Sequence, residues 1–262
     1  MSLPVPDLLG AVFGSIVGFV LALVGGGGSI LAVPFLVYGV GVASPHVAIG
    51  TGTVAVAASA LANLLPHGRA GRVKWRCGAV FAAAGVIGVL AGAELAKSVD
   101  GERLLMAFGA LMVVVGLVML RRRGGAGDAD IRLTGATARH LLPRLLATGF
   151  GVGALSGFFG IGGGFLIVPG LILATGMPLA FAIGTSLVAV SAFGAATASS
   201  YAFSGMVDWR LALVFVLGGL VGGLAGASAG RHLSKRKALL GPIFAGVVIA
   251  VGIYVLVRGL VS

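Results

Sequence analysis

Glycines and hydroxyls, not ionisable side chains, supply the residue pattern in this chain that could do chemistry. Two glycine clusters stand out, Gly25-Gly26-Gly27-Gly28 followed by Ser29, and Gly160-Ile161-Gly162-Gly163-Gly164. Each glycine costs a helix about 1 kcal/mol against alanine, so both clusters break a helix. A short helix restarting near Ser29 or Phe165 turns its unpaired N–H groups and positive dipole end toward the break. Glycine lets an anion come close to such a backbone. Two hydroxyl strings follow, Ile49-Gly50-Thr51-Gly52-Thr53 and Ile183-Gly184-Thr185-Ser186, and their hydroxyls can donate to an oxyanion without a fixed charge that would hold it too tightly. The candidate substrate-binding set is therefore Gly26, Gly27, Gly28, Ser29, Thr51, Thr53, Gly162, Gly163, Gly164, Thr185 and Ser186. The competing reading makes the glycines packing residues and lets the hydroxyls bond back to their own helices. Packing needs glycines at spacing four, as at Gly10, Gly14, Gly18 and at Gly218, Gly222, Gly226, Gly230, not a consecutive run.

Other chemistries fail on specifics. Gly226-Ala227-Ser228-Ala229-Gly230 formally matches a hydrolase elbow, but it lies in an apolar helix with no strand before it. The glycine clusters loosely match a dinucleotide fingerprint, yet no Asp or Glu for a ribose lies between Arg144 and Asp208. No His, Cys or carboxylate set has metal-ligand spacing, and His46 and His67, flanking one crossing, read as interfacial residues. Glu94 and Lys97 sit at helical spacing near the end of a crossing and read as a snorkelling ion pair. Trp75 and Trp209, beside Arg76 and Arg210, read as interfacial anchors. The single Cys77 allows no intramolecular disulfide. The expectation is no enzyme, no metal and no cofactor.

The elements that must position these residues are membrane helices. Of 262 residues, 58% are hydrophobic and 10% charged, and mean hydropathy is +1.14, which excludes soluble, fibrous and disordered classes. No charged residue lies between Asp7 and Arg69 or between Arg144 and Asp208. Each gap holds about three crossings at about 20 residues each. The net charge of +11 sits in short connections and not on a basic face interleaved with aromatics, so it reads as loop charge and not as nucleic-acid binding. The first seven residues carry no Lys or Arg, so the first apolar run is expected to be retained and not removed as a signal peptide.

The chain is also duplicated. A shift of 135 carries Gly14, Gly18, Gly25, Val33 and Pro34 onto Gly149, Gly153, Gly160, Val168 and Pro169. A shift of 134 carries Ala48-Ile49-Gly50-Thr51 onto Ala182-Ile183-Gly184-Thr185, and Trp75-Arg76 onto Trp209-Arg210. The expected organisation is a first transmembrane repeat over 1–120, a cytoplasmic linker over 121–144 and a second repeat over 145–262. Each repeat is either four crossings, the first kinked at its glycines, or a hairpin of two short helices folded at the glycines plus three crossings. The hairpin puts fourteen basic residues on one side and four on the other, obeying the positive-inside rule better than the kinked alternative. It makes the fold an all-α polytopic membrane protein of two inverted halves, with both termini outside, the linker in the cytoplasm and a midplane site at the two breaks.

The glycine clusters with Val33-Pro34 and Val168-Pro169, the repeated Ala-Ile-Gly-Thr strings, and Gly71-Arg72-Val73-Lys74-Trp75-Arg76 with Gly205-Met206-Val207-Asp208-Trp209-Arg210 together resemble the TauE/SafE family over nearly the whole chain outside the linker. Gly52 stands where the second half has Ser186, and Lys74 where it has Asp208. The resemblance implies a bacterial inner-membrane permease exporting sulfite or an organosulfonate-like anion. The alternatives are a passive anion channel or an uptake permease for a different small carboxylate or sulfur compound. The implied partners are a small anionic substrate and the lipid bilayer, with no nucleic acid; a homo-oligomer is left open.

Overall fold

The computed structural model describes residues 5–24, 29–121, 133–160, 164–232 and 237–261. Those residues form helices and short turns with no strand. The first half holds α1 (Val5–Val24), a short α2 (Ser29–Val40), α3 (Pro45–Arg69), α4 (Trp75–Lys97) and α5 (Gly101–Arg121). The second half repeats the order with α6 (Gly135–Phe159), a short α7 (Gly164–Thr175), α8 (Leu179–Phe203), α9 (Trp209–His232) and α10 (Lys237–Val261). Seven of these, α1, α3, α4, α5, α6, α8 and α9, contain described stretches long and apolar enough to cross a membrane. The protein is an all-α, multi-pass membrane protein.

In both halves the second helix folds back on the first. The Phe13 and Phe35 rings stack with centroids 4.8 Å apart, although a continuous helix would separate them by about 33 Å at 1.5 Å per residue. Gly170 in α7 likewise packs against Val152 in α6. The kinked single crossing is thereby excluded. The hairpin arms are unequal, however, and not two short helices. The 20 residues of α1 and 25 of α6 are full crossings, whereas α7 has 12. The return arm α2 opens with a tight turn and ends in a π-helical stretch, Phe35–Val40, closed by Gly41 in the left-handed region (φ 88°). That conformation favours glycine. Within 121–144, α6 already starts at Gly135, where Thr137 Oγ1 accepts from the Thr134 N–H at 2.9 Å.

The halves interlock by exchange. The first helix of each half lies along the fourth helix of the other, α1 on α9 and α6 on α4. In both interfaces glycine meets bare main chain. Gly14 and Gly18 abut Phe215 and Gly219, while Gly218, Gly222 and Gly226 abut Ala11, Ser15 and Phe19. Gly153 and Gly157 abut Gly85 and Val89 in the same way. These stripes let parallel helices approach at backbone distance, the packing available where lipid supplies no hydrophobic drive.

Corresponding helices, by contrast, run antiparallel. In α3 against α8, Gly50 meets Tyr201 while Ala57 meets Gly194. In α5 against α10, Gly109 meets Gly252 while Met106 meets Gly259. One end of the bundle therefore gathers Arg69, Arg72, Lys74 and Arg76, and the opposite end gathers Asp7, Lys97, Asp208 and Arg210. They are called the basic end and the sparse end below.

Candidate functional site

Ser44 caps α3 at the sparse end, its hydroxyl accepting from the Val47 N–H, and Pro45 at the first helical position presets the turn. This places Thr51 in the second turn, fully buried, where its Oγ1 accepts from the Asp208 N–H at 3.0 Å. The matching hydroxyl does the matching thing at the basic end, Thr185 Oγ1 accepting from the Lys74 N–H at 2.9 Å. Each string therefore holds the start of a helix belonging to the other half: Thr51 secures α9 and Thr185 secures α4. The difference between Asp208 and Lys74 has a structural counterpart. Asp208 Oδ1 caps α9 by accepting from the Leu211 N–H at 3.0 Å, whereas Lys74 gives α4 no side-chain cap and lies 4.5 Å from the Phe181 ring centroid.

The other hydroxyls of the strings turn back. Thr53 Oγ1 donates to the Ile49 and Gly50 carbonyls, both at 2.9 Å, and Ser186 Oγ donates to the Ile183 carbonyl at 2.8 Å. Ser29 is fully buried at the start of α2, and Gly164 opens α7. Gly26, Gly27, Gly28, Gly162 and Gly163 lie outside the described residues.

Thr51 and Thr185 do not meet. With α3 and α8 antiparallel, they sit about 20 Å apart along the bundle, counted at 1.5 Å per residue. The structure instead joins parts of opposite halves. Gly160, in the left-handed region at the end of α6 (φ 61°), packs directly on Ile49, two residues before Thr51. The second glycine break and the first hydroxyl string are thus one neighbourhood, at the sparse end.

Glu94 and Lys97 do pair, at 2.7 Å, but the pair is not simply solvated. The Lys97 side chain is 14% exposed against 66% for Glu94. Lys97 Nζ also donates to the Ser200 carbonyl at 3.1 Å, and Ser200 Oγ donates to Glu94 Oε1 at 2.9 Å, which ties α4 to α8. The ammonium stands 5.5 Å from the Tyr201 ring centroid, and Tyr201 stacks on His46 with centroids 6.4 Å apart. His46 is therefore half-buried in the same neighbourhood, and Tyr201, absent from the sequence-derived set, is fully buried beside it. His67, by contrast, bonds its own helix through Asn63 O, and Trp75 and Trp209 are exposed at the starts of α4 and α9, as anchors would be. Asp7, buried, meets Arg210 at 2.6 Å and locks the start of α1 to α9. A groove of about 390 Å³ between α1, α2 and α10, lined by Phe13, Phe35, Tyr38, Val251 and Tyr254 among others, has no charged side chain in its wall.

Comparison with known proteins adds a family. The model of the family described as "Sulfite exporter TauE/SafE" matches residues 10–255. A "Probable membrane transporter protein" of Xylella fastidiosa (strain 9a5c) is 49% identical over 249 residues, covering 95% of this chain and 94% of that protein. The "Probable membrane transporter protein YunE" of Bacillus subtilis (strain 168) is 30% identical over 268 residues, covering 96% of this chain and 97% of its own. No solved structure matches. The chain belongs to the TauE/SafE sulfite exporter family and is a multi-pass membrane transporter.

Proposed function

We propose that this protein is a secondary transporter that exports a small, weakly hydrated anion, sulfite in its singly protonated form or an organosulfonate-like compound, across the cytoplasmic membrane. In this reading the two halves lie inverted across the bilayer and the substrate passes between them. The observation that carries it is the pairing of a break with a string from the opposite half, Gly160 on Ile49 beside Thr51. Such a pairing couples binding at a broken helix to movement of one half against the other. The break glycines Gly26, Gly27, Gly28, Gly162, Gly163 and Gly164 give the anion access to backbone N–H groups, and Ser29, Thr51 and Thr185 stand at its approach, while Thr53 and Ser186 bond their own helices.

Electrostatics favours a singly charged or bulky, weakly hydrated anion over sulfate. A helix N-terminus contributes about 0.3–2 kcal/mol to a bound anion, too little to strip water from a divalent ion. The nearest buried cation, Lys97, already has Glu94. Counterflow into liposomes loaded with sulfite, thiosulfate, sulfoacetate, sulfate or acetate is expected to show saturable exchange of sulfite or the sulfonate, with sulfate competing weakly. Sulfate outcompeting every monoanion, or competition by a cationic amine, overturns this electrostatic assignment. Inversion has its own test. A reporter after Ser262 is expected outside the membrane and one inserted near Gly125 inside, and finding both on one side removes the inverted arrangement.

A further inference from the structure

Four buried side-chain polar atoms among the described residues have no hydrogen-bond partner: His46 Nδ1, Ser156 Oγ, Thr197 Oγ1 and Tyr201 OH. An unpaired buried polar group costs about 1–3 kcal/mol, so each calls for an explanation. All four lie on the sparse-end halves of α3, α6 and α8. Tyr201 stacks on His46 and packs on Gly50. Thr197 lies one turn before Tyr201 on the stripe of α8 that faces α3, between the contacts of Gly194 with Ala57 and of Tyr201 with Gly50. Ser156 lies one turn before Gly160, which packs on Ile49.

We infer that these four side chains form the oxyanion-binding site of the transporter, a one-sided site that rests on the small-anion reading above. Three hydroxyls each offer a donor, and an imidazole nitrogen offers a fourth. The nearest carboxylate, Glu94, is already engaged by Lys97 and Ser200. The nearest ammonium, Lys97, is the more buried member of its pair. Neutral donors with one compensated charge suit a ligand that must leave again. The helix α7 opens four residues beyond Gly160, and its N-terminal dipole end is positive.

Comparison of the halves shows that the arrangement is not a by-product of the fold. At the matching positions of the basic end stand Leu21 for Ser156, Asn63 for Thr197, His67 for Tyr201 and Ala180 for His46. There the polar groups are satisfied locally, Asn63 Nδ2 donating to Ser59 O at 2.8 Å and His67 Nδ1 bonding Asn63 O at 3.0 Å. The duplicated scaffold satisfies these positions at one end and leaves unpaired hydrogen-bonding groups at the other.

The test uses the full-length protein, purified in detergent and in liposomes, with Ser156→Ala, Thr197→Val and Tyr201→Phe made separately and Thr148→Val, an exposed hydroxyl on α6 bonded to Arg144 O, as control. Sodium sulfite and sulfoacetate are the probes, with choline as the cation. Each site variant is expected to unfold, without anion, at the wild-type temperature or above, because a buried unpaired hydroxyl is gone. Each should raise the half-saturating sulfite concentration in counterflow about tenfold or more, the loss of one hydrogen bond to a charged group. The thermal shift produced by sulfite should shrink in parallel, while the control matches wild type. Variants that unfold earlier yet keep the wild-type half-saturation show structural hydroxyls and overturn the site, as does protection by choline. If wild type exchanges no anion but sulfite still stabilises it and not the variants, the site stands and the transport reading falls. If sulfite does neither, both fall.

Discussion

Leucine at Gly222 is expected to leave no folded, monodisperse protein after extraction in mild detergent. A Cβ at that position falls on the Ser15 carbonyl group, so the obstacle is main chain and not a side chain that could swing away. Overpacking a core ordinarily costs about 1–3 kcal/mol because neighbours adjust. Here α1 and α9 must separate, and that also releases the contacts of Gly14, Gly18, Gly218 and Gly226, which depend on the same close approach. Against a net stability of about 5–15 kcal/mol, losing a whole helix interface removes the native state. Gly157→Leu, against Val89 in the exchanged interface, is expected to behave alike. Gly151→Leu is the control: it sits on α6 with nothing within 4 Å of its Cβ, and it should be tolerated. Yield and elution profile of fluorescent fusions decide the matter. A well-behaved Gly222→Leu protein would show that these stripes are not what holds the halves together.

Those stripes were legible because glycine at spacing four has one dominant meaning in an apolar helix. The hairpins were legible through loop charge, since moving a crossing moves every arginine that follows it. What local sequence could not supply was partner and register. Thr51 and Thr53 belong to one string and look equivalent, yet one grips Asp208 across 157 positions and the other bonds its own turn. The distinction follows from a helical rotation of about 200° between them and from what α9 places opposite. Convergence of both strings at the midplane was the natural inference from duplication, but antiparallel packing of α3 on α8 sends equivalent residues to opposite ends. The Glu94 and Lys97 pair was readable at spacing three; its link to Ser200 was not. Ser156, Thr197 and Tyr201 carry no local signal within apolar helices. Comparing the halves position by position offered one, since Tyr201 stands where the first half has His67 and Ser156 where it has Leu21.

Replacing both Thr51 and Thr185 by valine is expected to cut transport at least tenfold and to lower the unfolding temperature. Valine keeps the shape of threonine, so the change isolates the acceptor. Each substitution leaves a main-chain N–H at the start of a neighbouring helix, Asp208 or Lys74, without its partner, at about 1–3 kcal/mol. Because the two sites are about 20 Å apart and share no partner, their costs should add to about 2–6 kcal/mol. The single variants are expected to fold with reduced unfolding temperatures, the double variant to lie near the sum. The loss of flux has a separate origin. These two bonds tie the strings of each half to helix starts of the other, so without them the halves no longer hold the relative position that puts Gly160 against Ile49. Thr53→Val and Ser186→Ala provide the contrast, since those hydroxyls donate only to carbonyls of their own helices and such bonds contribute little. Initial rates of sulfite counterflow and thermal unfolding, measured on the five variants and the wild type, separate the outcomes. Equal losses at Thr51 and Thr53 would mean that hydroxyl content along α3, and not the clasp between the halves, is what transport needs.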